Sequence, residues 1–293
     1  MNILSNKIDF AVILRVVNAN PNGDPLNGNR PRTDFNHFGE ISDVCIKRKI
    51  RDRLLEQWVE NGRQNDGNMV FVQSEDRNED GAKSLRERAE AVLGKQLGSD
   101  KTVDIACEKW IDVRSFGQLF AMKSAKKTSK KNTDENFDGD TGISVGIRGP
   151  VSIQSAFSVE PVDITSMQIT KSVSAEGDGS KRGSDTMGMK HRIDQGTYVF
   201  YGSMNPQLAM KTKFSDQDAE IIKNILPQLF ENDESSARPA GSMEVLKVIW
   251  WKHDCKSGQY SSAKVHRSLR VKPDGGFDLD GLRGLEPEII TGF

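Results

Sequence analysis

An apolar run, Ile8 to Val17, opens directly into a loop built mostly of Asn, Gly and Pro, Asn18-Ala-Asn-Pro-Asn-Gly-Asp-Pro-Leu-Asn-Gly-Asn-Arg-Pro-Arg32, and a basic helix follows at about Ser42 to Glu60. No other stretch constrains the fold as much. Asn and Gly tolerate positive φ and Pro fixes φ, so the loop is expected to form tight turns that present backbone N–H groups. A strand, a turn-rich loop and a cationic helix in succession suit a surface that holds a phosphate backbone.

The helix sharpens this expectation. Ile46, Ile50, Leu54 and Trp58 recur at every fourth position, with Leu55 and Val59 widening the stripe. Lys49, Asp52, Arg53, Glu56 and Glu60 are expected on the opposite, solvated face. Lys47 and Arg51 fall on the stripe side. Lys47, Arg48, Lys49, Arg51 and Arg53 crowd the first half, where the helix dipole disfavours each cation by roughly 0.3–1 kcal/mol. Two readings of Lys47 and Arg51 stay open. Their stems cover the edge of the core, or they pair with a polyanion crossing the helix N-terminus.

The formal net charge of -1 excludes a protein that is basic throughout, so any nucleic-acid surface must be local. Three cysteines, Cys45, Cys107 and Cys255, are odd in number and far apart, which implies no disulfide framework and fits a reducing cytoplasm. No apolar run approaches a membrane span, and no signal peptide is recognisable at the start.

Further along, Lys83 to Leu97 reads as a helix stopped by Gly98, and Val103 to Trp110 as a short helix. Ile111 to Phe120 has extended or mixed character. Residues 125–142 carry blocks of opposite charge without an apolar period, the pattern of a flexible loop. Ile143 to Val159 alternates apolar and polar residues as a long strand, with a bulge or an edge position expected at Gly149-Pro150. Pro161 to Gln195 reads as two extended arms around a Gly-rich tip, a projecting β-hairpin carrying Lys171, Lys181, Arg182, Lys190 and Arg192. Tyr198 to Met204 is a strand. Ser215 to Phe230 is a helix with a capping box from Ser215 to Asp218. Val245 to Trp251 is a final strand, followed by a hairpin over Gln259 to Val271. Strand, helix, strand, strand, helix, strand is the ferredoxin-like order. The expected class is α+β, with an RRM-like body, a large insertion after the first helix and a hairpin between the middle strands.

Several constellations carry possible chemistry. His253, Cys255 and His266 are ligand types, but their spacing matches no common zinc pattern, and ordinary polar residues at a strand end explain them better. Asp24, Asp34 and His37 could cleave a bound phosphodiester, or the two aspartates serve as turn residues. Met187 and Met189 are hairpin packing, or apolar wedges between bases. No phosphate-binding Gly motif is present, so no nucleotide cofactor is expected.

Four segments carry a resemblance: the Asn18 to Arg32 loop, Ile41-Ser-Asp-Val-Cys-Ile-Lys-Arg-Lys-Ile-Arg-Asp52, Asp112-Val-Arg-Ser-Phe-Gly117, and Thr186-Met-Gly-Met-Lys190. Together they resemble the Cas-seven backbone subunits of type I CRISPR Cascade, in the RAMP superfamily. The I-C subtype, or Csd-two, is the most similar. The resemblance implies a hand-shaped subunit: a palm of residues 1–60, 143–160 and 196–293, fingers formed by residues 61–142, and a thumb at residues 161–195. It implies copies stacked head to tail along a CRISPR RNA, each thumb displacing one nucleotide, with the guide bases left free for target DNA. It also implies other Cascade subunits as partners, and RNA binding without catalysis, metal or cofactor. RAMP relatives that cut RNA with a loop aspartate keep the Asp24 and Asp34 alternative open. The residues expected at the RNA are Asn18, Asn20, Asn22, Arg30 and Arg32 on the loop, then Ser42, Lys47, Arg48 and Arg51 at the helix. On the hairpin they are Lys171, Met187, Met189, Lys190 and Arg192.

Overall fold

A computed structural model describes residues 2–122, 143–171 and 187–293. The charged segment expected at 125–142 and the hairpin's Gly-rich tip, with Lys181 and Arg182, lie outside the described residues. In chain order the elements are β1 (Ile8–Ala19), β2 (Gly23–Asp24), β3 (Arg30–Pro31), β4 (Phe38–Ile41) and α1 (Asp43–Glu60). Next come α2 (Leu85–Leu93), α3 (Thr102–Lys109), α4 (Ile111–Phe116), β5 (Gly117–Met122), β6 (Ile143–Arg148), β7 (Val151–Ile153), β8 (Ala156–Pro161), β9 (Ile164–Thr170) and β10 (Met187–Met204). The chain ends with α5 (Pro206–Thr212), α6 (Asp216–Ile225), β11 (Met243–Lys252), α7 (Ser262–Arg267), β12 (Leu269–Val271), β13 (Phe277–Leu279) and β14 (Glu288–Thr291). The result is a mixed α/β fold that divides into two compact units.

The first unit contains Leu54–Ser152 and Met204–Glu220 with the first few residues. Its core joins Phe71, Leu93, Cys107, Trp110, Val113 and Phe120, and the Phe71 and Trp110 rings lie 4.7 Å apart. Buried charges organise the backbone around this core. Asp112 accepts hydrogen bonds from the Phe71 and Val72 N–H groups at 2.7 and 3.1 Å. Arg114 reaches Asp218 through Nε at 3.0 Å and Nη2 at 2.7 Å, and also donates to the Gly67 carbonyl. Gly117 has φ +82, and a Cβ there would lie 2.2 Å from the Ile147 carbonyl oxygen. The Asp-x-Arg-x-Phe-Gly motif is therefore architectural: each of Asp112, Arg114 and Gly117 answers a packing or hydrogen-bonding demand of this unit.

The second unit contains Asn6–Arg53, Ile153–Ser203 and Ile221–Phe293. Its sheet runs β14-β11-β1-β10-β8-β4, with β9 added on β10. The pairings β1/β11, β10/β8, β10/β9, β11/β14 and β4/β8 are antiparallel. β1 is buried from Ile8 through Leu14 because both faces of the sheet are covered. On one side Ala11, Ile249 and Trp251 pack with Val265, Leu269 and Leu285. Phe10 stacks on Trp250 with centroids 5.4 Å apart. Asp9, fully buried, accepts from His253 Nε2 at 2.9 Å and pairs with Lys7 at 3.0 Å. Burial opposes ionisation of Asp9, but hydrogen bonds from His253, Ser262 and Lys7 outweigh it and hold the carboxyl below its ordinary range.

The sequence expectations hold unevenly at the level of elements. The capping box forms: Ser215 Oγ accepts from Asp218 N at 3.1 Å, and Asp218 accepts from Ser215 N at 2.8 Å. The single strand expected over Ile143 to Val159 is instead β6, β7 and β8. The first break falls at Gly149-Pro150, where an irregularity is expected, and the absence of a Cβ on Gly149 lets the backbone pass close to the Ser115 carbonyl oxygen, 2.2 Å from where a Cβ would stand. The mixed character of Ile111 to Phe120 resolves into a helix, α4, followed by a strand, β5. The hairpin expected to start at Gln259 begins only at Leu269, since Ser261 caps α7 by accepting from the Lys264 N–H. The helix from Ser215 ends at Ile225, followed by a 3-10 turn.

Candidate nucleic-acid interface

The Asn-rich loop folds as its composition dictates. Asn18 and Asn29 take left-handed φ values of +53 and +59, and Gly28 matches them at +59. Asp24 caps the short turn at Pro25–Asn27 by accepting from Leu26 N at 3.2 Å, and it also pairs with Arg32 at 3.5 Å. Arg30 lies across from Asp24 in the β2/β3 ladder. Asn20 is buried and its Nδ2 donates to the Asn29 carbonyl at 2.7 Å, which ties the two ends of the loop together. Asn22 Oδ1 accepts from both the Ser42 N–H, at 2.9 Å, and the Ser42 hydroxyl, at 2.8 Å. Ser42 Oγ in turn accepts from Cys45 N at 3.4 Å and caps α1. Loop and helix start are thus one hydrogen-bonded piece. The Ser42 N–H is already engaged by Asn22.

Along α1 the cations part company. Lys47 Nζ bonds Asp43 at 2.9 Å, one turn back, and stays partly exposed. Arg48 is 52 % exposed and lies 3.6 Å from Asp52. Arg51 is half-buried. Lys49, Asp52 and Arg53, expected on the solvated face, are buried. The apolar stripe is wider than four-residue spacing indicated, because the helix also packs its Lys49–Arg53 side inward. Both cations there find partners: Lys49 pairs with Asp233, and Arg53 donates to Gln228 at 3.0 Å.

The hairpin arms β9 and β10 pair from Ile164↔Ile193 to Thr170↔Met187. Alternation puts Met187, Met189 and His191 on one face and Lys190 and Arg192 on the other. Met187 and Met189 are 65 % and 56 % exposed, and Met187 Sδ accepts from Gln168 Nε2 at 3.4 Å across the hairpin. Lys171 is exposed at the end of its arm. Arg192 lies 3.6 Å from Asp194. His191 shares a hydrogen bond with Ser166 at 2.8 Å.

Loop and hairpin meet at a cleft of about 240 Å³, with Asn20 and Asn29 on one side, Met189, Lys190 and His191 on another, and Ser236 and Ala237 closing it. Of the residues picked out from sequence, Asn20, Met189 and Lys190 come together here, while Lys47, Arg48 and Arg51 do not line it. Asn29, His191, Ser236 and Ala237 went unremarked in the sequence. The turn at 235–238 has no motif to announce it, because its place is set by long-range contacts.

The other constellations resolve into structural roles. Asp34 Oδ1 accepts from Asn36 N and Phe38 N, both at 2.9 Å, so Asp34 holds a turn as Asp24 does. His253 uses one ring nitrogen on Asp9 and the other to accept the Gln259 N–H at 3.0 Å. Among the described residues no group of three or more His, Cys, Asp or Glu is placed to hold a metal ion, and no helix is long and apolar enough to cross a membrane.

With this geometry in place, comparison with known proteins is informative. The family model for CRISPR-associated protein Cas7 matches residues 6–283, and the chain belongs to that family. A CRISPR-associated protein Cas7 from Haloferax volcanii is 25 % identical over 293 residues, covering 97 % of this chain and 81 % of its own. Two chains of solved CRISPR RNA-guided surveillance complexes, one in a pre-nicking state, are each 15 % identical. They cover 84 % of this chain and 78 % and 68 % of their own, with TM-scores of 0.45 and 0.42. The family assignment rests on the sequence match.

Proposed function

We propose that this chain is the CRISPR RNA-binding backbone subunit of a type I Cascade, of the I-C subtype, working in the cytoplasm. It polymerises head to tail along the guide RNA and presents the bases for pairing with target DNA, alongside other Cascade subunits. The observation that carries this reading is the family match across residues 6–283. The sheet order β11-β1-β10-β8 supports a ferredoxin-like palm. On this reading residues 61–142 supply the fingers, and 161–195, whose arms are β9 and the start of β10, the thumb.

The site divides by role. Arg30, Arg32, Lys47, Arg48, Arg51, Lys171, Lys190 and Arg192 meet phosphates, and Met187 and Met189 offer apolar surface against a displaced base. Asn18, Asn20, Asn22 and Ser42 shape the loop that carries the strand. A subunit that grips backbone binds unrelated guides alike. On this reading the chain is a binder rather than an enzyme, and the turn roles of Asp24 and Asp34 support it over the ribonuclease alternative.

Electron microscopy of purified protein with single-stranded RNA and Mg²⁺ tests this directly. A curved filament of regular pitch containing uncut RNA is expected. Compact monomers that degrade the RNA, with activity lost in Asp24→Ala or Asp34→Ala, would reverse the reading.

A further inference from the structure

Lys49 sits where the pattern of α1 calls for a solvated residue, yet it is 4 % exposed. Burial pushes its ammonium below the ordinary lysine range, with the Asp233 carboxylate opposing that shift. Lys49 Nζ pairs with Asp233 Oδ1, and Asp233 Oδ2 accepts from Arg238 Nε at 2.9 Å. An apolar pair of similar volume commonly stabilises a core as well as a buried ion pair does, so stability alone is a poor reason for this arrangement. What an ion pair adds is direction, because it fixes where the partner segment lies.

That segment walls the cleft. Ser235 and Arg238 exchange backbone hydrogen bonds at 2.9 and 3.1 Å, closing a tight turn. The Ala237 carbonyl in that turn accepts the Asn20 N–H at 2.9 Å. Ser236 and Ala237 face the same cleft as Lys190. A continuous run of polar contacts therefore leads from Lys49 through Asp233 and Arg238 to the turn, and from the turn to the Asn-rich loop. We propose that Lys49, Asp233 and Arg238 form a latch that positions the 235–238 turn and the Asn20 loop as one wall of the RNA-binding cleft. The latch rests on the RNA-binding reading above. Lys49 is a positioning residue in it and touches no RNA.

The test uses the full chain in four forms: wild type, Lys49→Met, Arg238→Ala, and the apolar exchange Lys49→Met with Asp233→Leu. Binding of labelled single-stranded RNAs of unrelated sequence is measured over a salt series, and amide hydrogen exchange is followed at Ser235 to Arg238 without RNA. Each variant should exchange faster at the turn and bind about tenfold more weakly, the order seen when a supporting shell loosens. The log–log salt slope should stay at the wild-type value, since no phosphate contact is lost. The apolar exchange variant should melt like wild type and still bind weakly. If Lys49→Met does not fold, Arg238→Ala and the exchange variant carry the test. Folded variants with wild-type exchange and affinity would overturn the latch, and a reduced salt slope would mean that one of its cations meets RNA directly. Wild-type protein that binds no RNA, with exchange still faster in the variants, would sink the RNA reading and leave the latch as a device of the fold.

Discussion

Two regions of the molecule, the surroundings of Arg114 and the Lys47–Arg48 side of α1, hold cations in different ways. In the unit built on Trp110, Arg114 is nearly enclosed and its guanidinium is bonded to Asp218, Asn68 and backbone carbonyls. In the unit built on the large sheet, Lys47 and Arg48 hold carboxylates one turn away on their own helix, with Lys47 partly and Arg48 largely exposed. The first kind of pair ties together segments remote in sequence. The second is local and weak, worth about 0.3–0.5 kcal/mol, so a phosphate can displace the carboxylate at little cost. In a chain of net charge -1, a carboxylate beside a cation therefore says little about role. What separates the roles is whether the pair is buried and long-range or exposed and local.

The largest effect should come from breaking the enclosed kind. Arg114→Ala leaves Asp218 buried without its cation, and urea melts should show a loss of about 3–5 kcal/mol. The protein that remains folded should bind RNA with an unchanged salt slope. A stable Arg114→Ala protein with weakened, less salt-sensitive binding would erase the distinction between the two kinds of pair.

A smaller effect should appear with pH, because the sheet unit has an enclosed node of its own. Asp9 is held below its ordinary range despite burial, so its stabilisation is complete above the unfolded value and is lost as pH falls through the folded one, below about pH 4. Burial depresses His266, with Asp9 opposing. The native state then binds fewer protons than the unfolded chain just below about pH 6.5, and stability should fall as the pH drops from there. Thermal melts from pH 8 to 5 should show this decline, and His266→Gln should flatten it. A decline that survives the substitution would move its source elsewhere.

The sequence made the connected, local features legible. The turn chemistry of the Asn-rich loop and the cap at Ser215 depend on neighbours a few residues away, the hairpin arms lie within one continuous segment, and all are present. The inward turn of Lys49 and Arg53 was not legible. It depends on Asp233 and Gln228, 184 and 175 residues distant in sequence. The irregularity at Gly149 was legible as a bulge, while the atom that crowds it, the Ser115 carbonyl oxygen, was not. A third of the cleft lining was visible, namely Asn20, Met189 and Lys190. The wall at Ser236 and Ala237 was not, because a Ser-Ala pair in a turn has no chemistry to mark it.

The smallest structural change should be the most informative about function. Lys47→Ala with Arg51→Ala removes two α1 cations, of which only Lys47 lies near the positive end of the helix dipole, where its pair with Asp43 offsets the repulsion, so stability without RNA should change little. The decisive quantity is the slope of log affinity against log salt for single-stranded RNAs of unrelated sequence. Wild type should show a steep linear decrease, the same for every RNA, and the double variant should be shallower by about 0.7 per lost phosphate contact. An unchanged slope in a variant that melts several degrees earlier would contradict the account, and would assign Lys47 and Arg51 to covering the edge of the core.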